Sequence, residues 1–205
     1  MIVIIDYGMG NLGSIYNMLR KINVKSIISS KKEDLQNASK LILPGVGAFD
    51  NGMKNLLKLD IIPTLEDKVV NQKTPFLGIC LGMHLITKNS HEGSQEGLGW
   101  IDAETKKFDF TKKKDSFRVP HMGWNTVNVI ENGHRFFSDL ENPRFYFVHS
   151  YHVICNNRKD VLADTFYGYR FDSVIGRDNI VATQFHPEKS HKYGMKLLEN
   201  FVYRY

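Results

Sequence analysis

Cysteine is nearly absent. Of 205 residues only Cys80 and Cys155 carry a thiol, which excludes a disulfide framework and leads us to expect a reducing, cytoplasmic home. Long apolar runs are missing too. The most hydrophobic opening, Met1-Ile-Val-Ile-Ile5, meets Asp6 at once and falls far short of the ~20 residues that a membrane helix needs. No cationic segment precedes it, so it reads as a first strand and not as a signal peptide, and no membrane partner is expected. Charge of one sign is also lacking, with 27 Lys and Arg against 22 Asp and Glu. Much of the excess gathers in Lys106, Lys107, Lys112, Lys113 and Lys114 around Phe108 and Phe110. A local cluster without arginine forks suggests a β-hairpin with a solvated lysine tip; the alternatives are a nucleic-acid patch or a docking surface for an acidic partner, and no nucleic-acid partner is expected.

What is present is an ordinary globular balance, 42% apolar and 24% charged, in a chain long enough for one substantial core and short for two. Residues 1–205 are therefore read as one domain. Apolar runs of strand length alternate with segments of helical period, the pattern of an α/β protein around a mostly parallel sheet. Strands are expected at Met1–Ile5, Val24–Ile28, Lys40–Leu43 and Pro75–Ile79, with the third stopping at Pro44. Helices are expected at Asn11–Ile22, from an Asp50 N-cap through Leu59, at Ile61–Asn71 and at Leu81–Lys88. Beyond Gly99 shorter β segments follow, including Phe145–Val148, Val161–Ala163 and Ile180–Phe185, before an amphipathic helix at Tyr193–Tyr203.

Two stretches could carry chemistry. Gly8-Met-Gly-Asn-Leu-Gly13 matches the G-x-G-x-x-G fingerprint of dinucleotide binding, which would make the chain an NAD(P)-dependent oxidoreductase. Against that reading, Asp6 and Tyr7 intrude before the first glycine, and the second strand ends at Ser29-Ser-Lys-Lys32 instead of an acid for a ribose. The second stretch is Gly78-Ile-Cys-Leu-Gly82, a strand running straight into a helix with glycines two before and two after one nucleophilic side chain. Such an elbow is too tight for a Cβ at the flanking positions and sets Cys80 at a helix N-terminus, where thiolate is favoured. A Cys in a strand is often plain core filler, but filler needs neither glycine.

A thiol nucleophile needs a base and an orienting acid. Ile180–Phe185 delivers His186-Pro187-Glu188 past the end of a strand, at the edge where sites gather in open parallel sheets. The loop Pro44-Gly45-Val46-Gly47 offers one backbone donor for an oxyanion hole, and the Leu81 N–H a second.

These segments, with Pro120-His-Met-Gly-Trp-Asn125, Phe145-Tyr-Phe-Val-His-Ser-Tyr151 and Gln184-Phe-His-Pro-Glu-Lys-Ser190, resemble the class I (triad) glutamine amidotransferases, and among them the glutaminase subunits of imidazole glycerol phosphate synthase. The resemblance covers nearly the whole chain. It implies a flavodoxin-like domain with an added antiparallel β region, and a γ-glutamyl thioester on Cys80 formed with the help of His186 and Glu188. It also implies L-glutamine contacts from the backbone of Gly47 and from Glu92, Ser150 and Tyr151. The turn with Asn11, and Met122, Trp124, Asn125 and Tyr146, would face a partner, a (β/α)8-barrel cyclase of histidine biosynthesis bound as a heterodimer. No cofactor and no metal are expected, and the lone chain should be a weak glutaminase. One departure stands out: where the family has glutamine four residues after the nucleophile, this chain has His84, which is expected to contact substrate in its place. Other rivals are a paralogue feeding a surface-sugar amidotransferase and a Cys-His-Glu hydrolase.

Overall fold

Ile2–Ile5 forms strand β1, and all four residues are buried, as a strand covered on both faces requires. The computed structural model describes residues 1–111, 117–130 and 134–205. After β1 come α1 (Leu12–Lys21), β2 (Ser26–Ser29), α2 (Lys32–Gln36), β3 (Lys40–Gly45), α3 (Phe49–Lys58), α4 (Ile62–Glu66), a π-helical turn (Asp67–Asn71), β4 (Phe76–Cys80) and α5 (Leu81–Leu85). The second half is rich in strands: β5 (Asn89–Ser90), β6 (Ala103–Lys107), β7 (His121–Thr126), β8 (Asn128–Val129), β9 (Arg144–His149), β10 (Tyr151–Cys155), β11 (Val161–Tyr167), β12 (Tyr169–Arg177) and β13 (Ile180–Thr183). Helix α6 (His191–Arg204) closes the chain. Among the described residues no helix is long and apolar enough to cross a membrane.

Strands β2, β1, β3, β4 and β13 lie side by side in parallel. The sheet continues antiparallel through β12, β10 and β6, while β7 and β9 pair as a separate antiparallel ribbon. This is the expected α/β architecture with an added antiparallel region. Alternation sorts β1 between two apolar clusters, Val3 and Ile5 on one side and Ile2 and Ile4 on the other, as a strand period of two dictates. Because β2 and β3 flank β1 on opposite sides, the helices that follow go to opposite faces and a crevice opens at the carboxyl ends of the strands.

Several elements depart from the sequence expectation. β3 does not stop at Pro44 but runs to Gly45, paired with Cys80 on β4. Its pairing with β1 ends at Ile42, so the N–H that proline lacks is not called for on that side. Asp50 does not cap α3, whose N-cap is Ala48; its carboxylate instead accepts the N–H groups of Ser94 and Gln95. Helix α5 ends at Leu85 and not at Lys88, because the chain returns across its end and Leu98 and Ile101 donate to the carbonyls of Leu85 and Ile86. Lys106 and Lys107 close β6, which pairs with β10 and not with a following hairpin strand; Lys112, Lys113 and Lys114 lie outside the described residues.

Candidate active site

Register sets the site. Gly45 at the end of β3 pairs with Cys80 at the end of β4, and Thr183 at the end of β13 pairs with Ile79, so three neighbouring strands finish together on one rim. The chain turns at Cys80 with φ 53° and ψ −106°, a conformation that costs a non-glycine residue of order 1–3 kcal/mol. The flanking glycines are obligatory. A Cβ at Gly82 would overlap the Leu43 carbonyl oxygen, and one at Gly78 would come within 2.9 Å of the Gly82 oxygen. Helix α5 is only five residues long, so few peptide dipoles add at its start and neighbouring side chains dominate the sulfur's surroundings.

The strongest of these neighbours is His186. It is 1% exposed, and its Nδ1 lies 2.7 Å from Glu188 Oε1, so Glu188 holds the ring from behind. Burial opposes a charge on this imidazole, but Cys80 and Glu188 outweigh it and hold the pKa up to about 10. Its Nε2 is buried without a hydrogen-bond partner that meets ordinary geometry, which leaves that atom to the electrostatic pull of the sulfur.

A cavity of about 680 Å³ opens before these groups, and its lining includes Val46, Gly47, Cys80, Leu81, His84, Glu92, His149, Ser150, Tyr151 and His186. Gly47 has φ +110°, a backbone free to aim its peptide plane inward. Leu81 is the first residue of α5, so its N–H has no partner inside the helix. Glu92 lines the cavity while its Oε2 accepts the Phe49 N–H at 2.9 Å, tying the loop after β3 to the wall. His84 reaches the cavity with Nε2 engaged by Gln184 Oε1 at 2.8 Å, so only Nδ1 remains for a substrate. Met122 is 61% and Trp124 41% exposed on β7, with Tyr146 beside Trp124 on β9. Asn11 caps α1. Asn125 is committed inward, donating to His121 Nε2 and to the Phe166 carbonyl.

Two features escaped the sequence reading. One is Gln184, fully buried beside the sulfur. The other is a chain of imidazoles. His149 Nδ1 lies 2.7 Å from the Tyr151 carbonyl and His149 Nε2 2.9 Å from His121 Nδ1. A carbonyl can only accept, so every donor in the run Asn125, His121, His149, Tyr151 points the same way and both rings are neutral. Burial accordingly lowers His121 to about 4, His84 to about 4 and His149 well below its usual value.

A stability prediction follows from that neutral set. In the unfolded chain these imidazoles take up protons near pH 6.5, whereas in the fold they resist down to about 4. Between those values the unfolded state binds more protons, so stability falls as pH falls. His186, shifted upward to about 10, gains stability as pH falls from about 7.5 to its unfolded value near 6.5 and so offsets part of the loss, but one such group is outweighed by the lowered imidazoles. Urea unfolding at about pH 5 should show a lower midpoint than at about pH 7.5 with an unchanged slope; equal midpoints would contradict the assignment.

Comparison with known proteins agrees with this geometry. The family model described as "Glutamine amidotransferase class-I" matches residues 3–205, and the chain belongs to that family. It is 55% identical over 202 residues, 98% of each chain, to the imidazole glycerol phosphate synthase subunit HisH 2 of Methanococcus maripaludis. It is 46% identical over 203 residues, 98% of each, to the protein of the same name from Pseudomonas aeruginosa. A solved glutamine amidotransferase superposes with a TM-score of 0.74 over 98% of this chain and 97% of its own at 19% identity. The structure of PurLQS from Thermotoga maritima gives 0.71 over 98% and 96% at 16%. Those two show the shared fold.

Proposed function

We propose that this chain is the glutaminase subunit of an imidazole glycerol phosphate synthase, working in the cytoplasm as a heterodimer with a (β/α)8-barrel cyclase. The observation that carries the reading is the buried His186, backed by Glu188 at 2.7 Å and raised by its proximity to Cys80 at the mouth of a cavity. The Cys80 sulfur attacks the side-chain carbonyl carbon of L-glutamine. Charge that develops on the oxygen is met by backbone N–H groups of the loop Gly45-Val46-Gly47 and of Leu81. His186 gives its proton to the departing nitrogen, ammonia leaves, and a γ-glutamyl thioester remains. Water then attacks the thioester, His186 takes the water's proton, and glutamate departs with the sulfur regenerated. Glu92, Ser150 and Tyr151 hold the amino-acid end of glutamine. Exposed Met122 and Trp124, with Tyr146 beside them, form the face through which ammonia passes to the partner.

A paralogous role, feeding ammonia to a surface-sugar amidotransferase, would use the same site. Mixing the purified chain with a histidine-pathway cyclase and its substrate separates the two readings. Glutamine hydrolysis should rise roughly 10- to 100-fold, the range typical of coupled sites, and cyclase product should form from glutamine without added ammonia. Unchanged hydrolysis and no glutamine-driven product would exclude the cyclase as partner.

A further inference from the structure

Two buried side chains that the steps above leave unused, Gln184 and His84, form a hydrogen-bonded pair of which Gln184 reaches the Cys80 sulfur. Gln184 is fully buried, with Nε2 3.9 Å from Sγ and Oε1 2.8 Å from His84 Nε2. An amide oxygen can only accept, so His84 carries its proton on Nε2. With its oxygen on His84, the amide turns its Nε2 toward the sulfur. Burial keeps the His84 ring neutral, with a pKa of about 4, and a second proton would go to Nδ1, leaving the Nε2 donor in place. The backbone is anchored as well, since the Gln184 N–H donates to the Ser173 carbonyl on β12 at 2.9 Å. Gln184 and His186 follow β13 through a bend at residues 184 and 185, and the sulfur thereby receives an amide and an imidazole from the same stretch of chain.

We propose that Gln184 is a hydrogen-bond donor to the Cys80 sulfur during glutamine hydrolysis and that His84 is the positioning residue that orients it. The inference rests on the nucleophilic role given to Cys80 above. An anionic sulfur accepts strongly and a thioester sulfur weakly, so the donor stabilises the sulfur before attack and again when it departs from the adduct formed by water. Gln184 itself makes and breaks no covalent bond. Without His84 the amide rotates freely and can turn its oxygen toward the anion. The titratable groups around the sulfur are His186, and Tyr7 after β1, whose hydroxyl is pushed up by burial and by Cys80; Glu92, His149, Tyr151 and Lys189 line the cavity.

The test is the pH profile of Cys80 alkylation by iodoacetamide in the full chain, read by peptide mass spectrometry, with glutaminase kcat and KM measured alongside. Cys155, whose thiol is pushed up by burial, is resolved as a separate peptide. Gln184→Met keeps the volume and removes both polar ends. Its alkylation midpoint should rise by about one pH unit, with kcat down about tenfold and KM within about twofold. His84→Leu should move the midpoint the same way, whereas His84→Gln, whose amide can donate to Gln184 Oε1, should restore it. Should Gln184→Met fail to fold, the two His84 variants decide. Superimposable profiles across wild type, Gln184→Met and His84→Leu would overturn the inference. A wild-type chain alkylated at Cys80 that keeps full activity would overturn the role of Cys80 itself, so the two failures are distinct.

Discussion

Cys80→Ser should lower glutamine hydrolysis by a factor on the order of 10⁴ or more while the chain stays folded. The substitution alters one atom at the turn, so the strained backbone and the close contacts of Gly78 and Gly82 persist. What disappears is the more nucleophilic sulfur atom. A neutral hydroxyl also removes a main support of the His186 charge, since Cys80 is what chiefly raises that imidazole against its burial. Ammonia release by the variant, measured beside its thermal unfolding, checks both parts. A glutamine-analogue alkylator should label the wild-type chain once, at Cys80, and leave the serine variant untouched. Activity within about tenfold of wild type would mean that the sulfur is not the attacking atom.

Glu188→Gln is the second large effect expected. The carboxylate is buried with His186, side chains 2% and 1% exposed, and an amide of the same shape keeps the packing while removing the charge. A ring held in the wrong tautomer and stripped of its counter-charge should lose turnover by a factor on the order of 10³. The pH profile should move as well. In the wild type the imidazole keeps its proton up to about 10, so activity that needs a proton for the leaving nitrogen persists to that limit. With the carboxylate gone, the alkaline limb of kcat/KM, which reports the free enzyme, should shift downward. The linkage carries the same sign: a raised histidine stabilises the fold fully below its unfolded value near 6.5 and loses that contribution as pH rises toward about 10. An alkaline limb unmoved in the variant would show that another group sets it.

Much of this site was legible because its parts obey local rules. Glycines at 78 and 82 mark a turn with no space for side chains, and a strand ending in His-Pro-Glu delivers its groups where parallel strands finish. Other parts depend on contacts that no local pattern announces. Gln184 sits in a stretch that reads only as apolar strand, and its importance arises from a neighbour 100 positions earlier, His84. His121 and His149 become one hydrogen-bonded run only because β7 and β9 pair in that register. Asp50 has the identity of a helix cap, yet the loop after Ser90 offered its carboxylate more N–H groups than the helix did. Helix α5 was overextended because its apolar residues continue past Leu85, where returning chain, not sequence, ends it.

The position of β13 between β4 and β12 bears on how the molecule is made. A ribosome reaches residue 180 only after β5 to β12 have been made, and until then β4 is an open edge with unpaired backbone. A growing chain at that stage already carries its thiol but has no imidazole to set against it. Half-finished copies are thus chemically idle and release no free ammonia, while their exposed edge makes them the form most in need of a chaperone.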